Sequence, residues 1–248
     1  GCWQVFTDEI TRKVLDRGYI LAHFNRTELA TDVRSKARDG GLYPFFPKRD
    51  FGALAAWAWG FHRCVDALIA MPEVDARRVI ATGHSRGGKT ALLAGATDER
   101  IALTAPNDSG CGGAGSFLCQ GPESETLADI LRVFPYWFSS KLPAYLRKGR
   151  TLPFDQHLVK ALVAPRALLA TEALGDLWAN PTGTHHTHEQ AREVYRLLGA
   201  EDQIGLCYRP GGHEHALEDW NALLDFADWR LGGSERRRDF WQSPGGTP

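Results

Sequence analysis

A serine flanked by glycines stands between a strand pattern and a helix pattern, and this turn constrains the fold more than any other feature. The sequence Gly-His-Ser-Arg-Gly at 83–87 follows an apolar run of strand type at 78–82 and precedes a small-residue run of helix type at 89–96. Glycines two positions either side of the serine remove Cβ atoms that would crowd the neighbouring strand and helix. The pattern predicts a nucleophile elbow, which lifts the hydroxyl of Ser85 out of a sheet beside a helix N-terminus suited to an oxyanion.

Helix and strand signals alternate along the chain without an internal repeat. This alternation predicts one α/β domain over residues 1–248, with a mainly parallel sheet covered by helices on both faces. Strands are predicted at 19–24, 78–82, 101–105, 167–171 and 204–208, and helices at about 5–17, 51–71, 89–96, 124–133, 186–199 and 217–231. Residues 232–248, which include an arginine run at 236–238, are predicted to form a solvated tail.

Composition excludes several classes of partner. The formal net charge of −1 gives no electrostatic reason to expect nucleic acid or a membrane surface, and no apolar run approaches the ~20 residues of a membrane span. The five cysteines lack metal-ligand spacing, and the glycine-rich stretch at 110–115 lacks the ending of a phosphate-binding loop, so no metal or cofactor is expected. The only methionine is Met71, so Gly1 is not a translation start and the chain is expected to be a processed product or a fragment.

A serine hydroxyl becomes a nucleophile when a histidine takes its proton and a carboxylate orients that histidine. His213 and His215 follow the last predicted strand, where an α/β-hydrolase places its base in the chain order serine, acid, histidine. Two acids remain open on position alone, because Asp176 follows the strand at 167–171 and Asp108 follows the strand at 101–105. The sequence therefore predicts an α/β-hydrolase three-layer sandwich. Only one clear strand precedes the elbow strand, so the other early strands of that fold are expected upstream of Gly1 or from elsewhere.

These residues resemble those of the glucuronoyl esterases of carbohydrate esterase family 15, bacterial type. The family elbow, Gly-Cys/His-Ser-Arg-x-Gly-Lys, is matched at 83–89. A second family signature, Pro-x-Glu-Ser-Gly-x-Gly-Gly, resembles residues 106–113, where Asp108 replaces the catalytic glutamate. An aromatic segment at 136–139, the tryptophan at 178 and the base region at 212–215 extend the resemblance over nearly the whole chain.

The resemblance implies a role for each matched catalytic residue. Ser85 would be the nucleophile, and Arg86 would hold the oxyanion through its backbone N–H and its guanidinium. Alignment with the His-x-His-Cys sequence of fungal members makes His215 the base, with His213 as the alternative. The positions of the fungal disulfide hold His84 and Ala216 here, so that bridge is expected to be missing.

The resemblance also implies the sugar-binding residues. Lys89 would bind hydroxyls of a glucuronoyl sugar beside Trp178. Glu125 and Arg132 lie on the segment that carries further sugar contacts in the family. Exposed aromatic residues, such as Trp137 and Trp178, would suit stacking against a sugar in an open site.

The function implied is hydrolysis of esters of glucuronic or 4-O-methyl-glucuronic acid, such as lignin–carbohydrate esters of glucuronoxylan, through an acyl-enzyme. A secreted or periplasmic monomer without cofactor is expected. The alternatives are a general carboxylesterase or acetyl-xylan esterase, and a non-catalytic carbohydrate-binding protein on a hydrolase fold. A peptidase of the same fold has the least support, because no acidic anchor for a peptide amine stands out.

Overall fold

A four-stranded parallel sheet forms the centre of the computed structural model, which describes residues 7–147 and 152–245. The strands lie in the order β1, β2, β3, β4, and all three neighbouring pairs are parallel. Their bounds are β1 Val79–His84, β2 Ile101–Asn107, β3 Ala167–Ala173 and β4 Ile204–Arg209. Four of the five predicted strands are thereby confirmed, and the carboxyl ends of all four meet at one edge of the sheet.

Eight α-helices surround this sheet within the described residues. Their bounds are α1 Asp8–Asp16, α2 Ala53–Leu68, α3 Arg86–Thr97, α4 Leu127–Val133, α5 Lys141–Arg147, α6 Gln156–Ala161, α7 Pro181–Leu197 and α8 Leu217–Arg230. The helix predicted at 186–199 begins earlier, because Pro181 suits a first helical turn and Asn180 caps the N–H of Gly183. Helices α5 and α6 were not predicted, since each is short and lies in a stretch without clear periodicity.

Helices cover both faces of the sheet, which confirms the predicted three-layer α/β arrangement. Helices α1 and α8 pack on one face, and α2, α3, α6 and α7 form the other layer. Successive side chains of strand β3 point to opposite faces of the sheet, and both faces are buried. Ala167 and Leu169 contact the cluster around α8, whereas Leu168 contacts the cluster around α3 and α7, and all three are buried.

The strand predicted at 19–24 is wrong. Residues 19–24 run in irregular backbone and line a cavity of about 430 Å³ together with residues 78–82. No strand of the described residues pairs with the outer edge of β1. A run of strand-forming residues becomes a strand only when a neighbour takes its backbone hydrogen bonds, and the cavity separates this run from β1.

The prediction of a solvated tail after residue 232 is wrong at Phe240, although residues 232–239 are exposed. Phe240 is 3 % exposed and packs on Phe226 and Trp229. Its carbonyl accepts the N–H of Leu206 at 2.7 Å, so the segment lies along the outer edge of β4. The arginine run does not point freely into solvent, because Arg238 forms an ion pair with Asp225 on α8.

The four cysteines in the described part of the chain, at positions 64, 111, 119 and 207, are free thiols. Among the helices of that part, none has the length and the apolar character needed to cross a bilayer.

Candidate active site

Ser85 occupies the sharp turn that its flanking sequence predicted. It directly follows β1 and directly precedes α3, and its backbone has φ 56° and ψ −121°. Positive φ is rare for a residue with a Cβ atom, and such strain is typical of a nucleophile elbow. The turn is held by the N–H of Ser85, which donates to the carbonyl of Asn107 at 2.9 Å, and by the N–H of Lys89, which donates to the carbonyl of Ser85 at 3.0 Å.

The glycines of the elbow differ in how much space a Cβ atom would have at each position. A Cβ on Gly83 would lie 2.6 Å from backbone atoms of Gly87, so that position requires glycine as predicted. Gly87 itself has open space around the Cβ position, which corrects the prediction for that residue. The second position without room is Gly88, where a Cβ would lie 2.8 Å from Ser109 Cβ and 2.9 Å from the carbonyl oxygen of Asn107.

His213 contacts the residue before Ser85 and is oriented by Asp176. Its Nδ1 donates to Oδ2 of Asp176 at 2.5 Å, which leaves Nε2 available to take a proton. Its ring lies 4.5 Å from the ring of His84, the residue immediately before Ser85. The hydrogen bond that His213 donates to the Asp176 carboxylate raises the pKa of His213, and this increase outweighs the lowering caused by partial burial.

His215, the base that the alignment favoured, is not brought to either acid. Its ring is buried, stacks on Trp220 at a centroid distance of 4.7 Å and lies 5.9 Å from the ring of His84. Nδ1 of His215 has no hydrogen-bond partner among the described residues. Burial lowers its pKa to about 3, so this imidazole stays neutral within the core. The structure therefore places the alternative, His213, in the geometry of a base.

Asp108 lies beside this pair but is bound elsewhere. Carboxylate oxygens of Asp108 and Asp176 and a ring nitrogen of His213 lie within 4.8 Å of one another. The two oxygens of Asp108 accept hydrogen bonds from the N–H of Ala173 at 2.6 Å and from Nη2 of Arg209 at 3.2 Å. Burial, together with nearby acidic groups, raises the pKa of Asp108 despite the arginine. Of the two predicted acids, Asp176 is the one that is hydrogen-bonded to His213.

Arg86 begins α3, so its backbone N–H belongs to the first turn, where amides have no partner within the helix. Its guanidinium extends across Trp137 and Phe134, with centroid distances of 4.9 and 5.3 Å, and Nη1 donates to Asp32 at 2.8 Å. The expectation of an exposed Trp137 is wrong, because this side chain is 3 % exposed and supports Arg86.

Three of the four predicted sugar-binding residues come together beside the elbow. Lys89 is buried, and its Nζ donates to the carbonyls of Ser109 and Cys111 and lies 3.7 Å from Oε2 of Glu125. Burial lowers the pKa of Lys89 and raises that of Glu125. The N–H of Glu125 donates to the carbonyl of Trp178, whose side chain is half-exposed.

Arg132 is not brought to this group. Its side chain is 71 % exposed, and its guanidinium pairs with Asp129 on the same helix at 3.4 Å. Within the described residues, it makes no hydrogen bond or ion pair with Lys89, Glu125 or Trp178.

Sequence reasoning missed three polar residues that shape the site. Asn107 accepts from Nδ1 of His84 at 2.6 Å and donates to Thr171. Arg209 binds Asp108 and also donates to the carbonyl groups of the loop that carries His213. Both residues end a strand at the catalytic edge, and that position was a usable signal. Asp32 lies in an irregular stretch without any motif.

Comparison with known proteins places these residues in a family. A family model described as "Glucuronyl esterase, fungi" matches residues 5–199. A carbohydrate esterase from an unknown prokaryotic organism is 35% identical over 95% of this chain and 58% of its own length. A 4-O-methyl-glucuronoyl methylesterase of Hypocrea jecorina is 34% identical over 80% of this chain and 45% of its own length.

A solved structure gives the same result for the fold. The glucuronoyl esterase of Caldicellulosiruptor kristjansonii, from carbohydrate esterase family 15, has a TM-score of 0.89 and 38% identity over 96% of this chain and 66% of that chain. This chain spans about half the length of the curated relatives it matches. The α/β-hydrolase fold, the elbow and these matches together establish that the chain belongs to the glucuronoyl esterases of carbohydrate esterase family 15.

Proposed function

We propose that this chain is a single catalytic domain that hydrolyses esters of glucuronic or 4-O-methyl-glucuronic acid. The observation that carries the proposal is that two polar pairs contact the strained Ser85 elbow. The His213 ring of the His213–Asp176 pair lies 4.5 Å from the ring of His84, next to Ser85, and the N–H of Lys89 in the buried Lys89–Glu125 pair donates to the Ser85 carbonyl. The first pair supplies acyl-transfer chemistry, and the second supplies fixed polar groups for a hydroxylated ring. The name of the Hypocrea jecorina relative gives the same acid component.

The proposed reaction begins with proton transfer. His213 Nε2 takes the proton of Ser85 Oγ, and Oγ bonds to C6 of the uronate ester. The resulting oxyanion is held by the backbone N–H and the guanidinium of Arg86, a donor set of the kind that is worth about 3–4 kcal/mol per group in acyl transfer. His213 then returns the proton to the alkoxide as the C6–O bond breaks, and the alcohol leaves.

Water completes the cycle by the same route. It gives a proton to His213, attacks the acyl carbon, and releases the uronic acid while Ser85 regains its proton. Asp176 holds the imidazole in the tautomer that both steps require and stabilises the imidazolium. Asp108, bound to Arg209 and Ala173, acts in this scheme as a neighbour that keeps the loop in place.

We propose Lys89, Glu125 and Trp178 as the sugar subsite. Lys89 offers a buried ammonium, Glu125 a carboxylate, and Trp178 an exposed ring face beside them. Arg132 has no place in this proposal. Polymers that carry such esters lie outside cells, so we also propose that the enzyme acts outside the cytoplasm.

Hydrolysis of benzyl glucuronate, compared with p-nitrophenyl acetate, tests the proposal. We expect turnover of the uronate ester that disappears in Ser85→Ala. We also expect Lys89→Met to reduce kcat/KM for the uronate ester by about 10- to 100-fold while changing acetate hydrolysis by less than about threefold. Equal losses on both substrates would favour a general esterase, and an inactive parent protein would favour a binding function.

A further inference from the structure

The carboxylate of Asp32 accepts hydrogen bonds from four side chains. It lies in the irregular stretch between α1 and α2, and its side chain is 9% exposed. Oδ2 accepts from Arg26 at 2.7 Å and from Arg86 at 2.8 Å. Oδ1 accepts from the hydroxyl of Tyr136 at 3.0 Å and from Nε1 of Trp137 at 2.9 Å. Four donors directed at one carboxylate make this a built site within the fold.

Aromatic rings contact the face of the Arg86 guanidinium, while Asp32 accepts a hydrogen bond from its edge. Trp137 stacks on Phe134 with centroids 3.9 Å apart and an interplanar angle of 7°. The guanidinium carbon lies over both rings, at 4.9 and 5.3 Å. A guanidinium held by stacking and by a hydrogen bond loses most of the rotational freedom of a free arginine side chain.

The charge of Asp32 is maintained by this arrangement. Burial alone would raise its pKa, but hydrogen bonds from Arg86, Trp137 and Arg26 hold the pKa below its ordinary value. An ionised carboxylate also reduces the field of the arginine at the reacting carbonyl. Its benefit for catalysis must therefore come from placement, since a preorganised donor needs no reorientation when the oxyanion forms.

We propose that Asp32 is a positioning residue of the esterase: it holds the guanidinium of Arg86 at the site where the oxyanion forms. This inference depends on the proposed function, in which Arg86 is the oxyanion donor. It assigns a catalytic consequence to the irregular stretch before α2, which carries none of the predicted site residues.

A double-mutant cycle with Arg86 tests the inference. Asp32→Asn keeps the shape of the side chain and removes its charge. We expect it to lower kcat on benzyl glucuronate by about 10- to 100-fold with little change in KM, because a misplaced donor acts on the transition state. In an Arg86→Ala background, the same change should lower kcat by less than about threefold, since the group that Asp32 positions is gone.

Asp50 provides a matched control. It accepts from Arg38 at 3.1 Å and from Ser140, so it ties the same irregular stretch to the segment after Trp137 without touching Arg86. Asp50→Asn should leave kcat within about twofold of the parent. Two further measurements separate a positioning role from a purely structural one. Thermal unfolding of each variant measures its stability, and the conservative replacement Asp32→Glu should recover part of kcat.

Each outcome of the cycle decides between the two proposals. If Arg86→Ala lowers kcat and Asp32→Asn does not, the positioning role fails and the proposed function stands. If Asp32→Asn lowers kcat equally in both backgrounds, Asp32 acts through stability alone and the inference is overturned. If Arg86→Ala keeps the parent rate, the oxyanion role of the Arg86 guanidinium and the inference both fail, while the role of the backbone N–H at position 86 is unaffected.

Discussion

His213 donates from Nδ1 to Oδ2 of Asp176 across 2.5 Å, and this contact joins the loops that follow β4 and β3. Asp108 competes for the same imidazole by position but is bound to Arg209 and to the backbone of Ala173. The hydrogen bond between His213 and Asp176 therefore favours Asp176 over Asp108 as the acid that orients the histidine.

We expect Asp176→Asn to lower kcat by about 10⁴-fold, the loss typical of a triad whose histidine is held in the wrong tautomer. Asp108→Asn should cost less than about 100-fold, since it disturbs Arg209 and leaves the contact between His213 and Asp176 in place. Steady-state kinetics on benzyl glucuronate measure both changes. A larger loss for Asp108→Asn would make Asp108 the acid of the triad.

The pH dependence of kcat/KM reports the pKa of His213, because only the neutral imidazole accepts the serine proton. The hydrogen bond donated to the Asp176 carboxylate raises this pKa, so the midpoint of the acid limb should lie above the ordinary histidine value of about 6.5. Asp176→Asn removes the charge that stabilises the imidazolium and should shift the midpoint to lower pH. An unshifted midpoint would mean that another group limits the reaction.

The two histidines of the last loop should separate cleanly by mutation. His213→Ala is expected to reduce kcat by more than about 1,000-fold, since it removes the proposed base. His215→Phe preserves a ring against Trp220 and should keep kcat within about threefold of the parent. The reverse order of effects, measured on benzyl glucuronate, would restore the assignment that the alignment favoured.

Burial of His215 predicts how stability changes with pH. Its pKa of about 3 in the folded protein lies far below the value of about 6.5 in an unfolded chain, so the unfolded state binds the extra proton first. The free energy of unfolding should therefore be highest above about pH 6.5 and fall as the pH decreases from there towards about 3.

Urea denaturation at about pH 7 and about pH 4 measures this dependence. In His215→Phe the decrease in unfolding free energy should be smaller by a few kcal/mol, and the decrease that remains includes His84, whose pKa is lowered to about 4 chiefly by burial. An equally steep dependence in His215→Phe would contradict the assignment to this residue.

Gly87 and Gly88 form a matched pair of substitutions at the elbow. Gly88→Ala puts a methyl group within 3 Å of Ser109 and the Asn107 carbonyl, so α3 must shift and carry Ser85 with it. We expect a loss of about 1–3 kcal/mol in stability and more than about a tenfold loss in kcat. Gly87→Ala meets no atom and should retain kcat, with stability unchanged or raised by up to about 1 kcal/mol. Equal effects of the two changes would contradict this account.

The elbow was predictable because its constraints are local. Around the serine at positive φ, a Cβ has no room at Gly83 or at Gly88, and both glycines lie within six consecutive letters. The choice between His213 and His215 was not predictable in the same way. The two residues are two positions apart in one loop, and contacts with distant residues decide which ring meets Asp176. Arg209, at the start of the loop, donates to its carbonyl groups and also pairs with Asp108, which lies far away in the sequence.

Contacts between distant segments set the other limits. Residues 19–24 have the composition of a strand, but pairing with β1 depends on what fills the space between them. Phe240 lies in a polar terminal stretch, and only the position of α8 shows that it is covered. Asp32 meets Arg86 across 54 positions of sequence, in a stretch without periodicity.

No disulfide among the described residues holds the loop that carries His213. Ring contacts to His84, the carbonyl hydrogen bonds of Arg209 and the Asp176 carboxylate hold it, while the four cysteines in the described residues remain thiols. Within the described residues, packing, hydrogen bonding and ion pairing therefore hold this loop in place. We expect a reducing agent to leave the position of His213 unchanged.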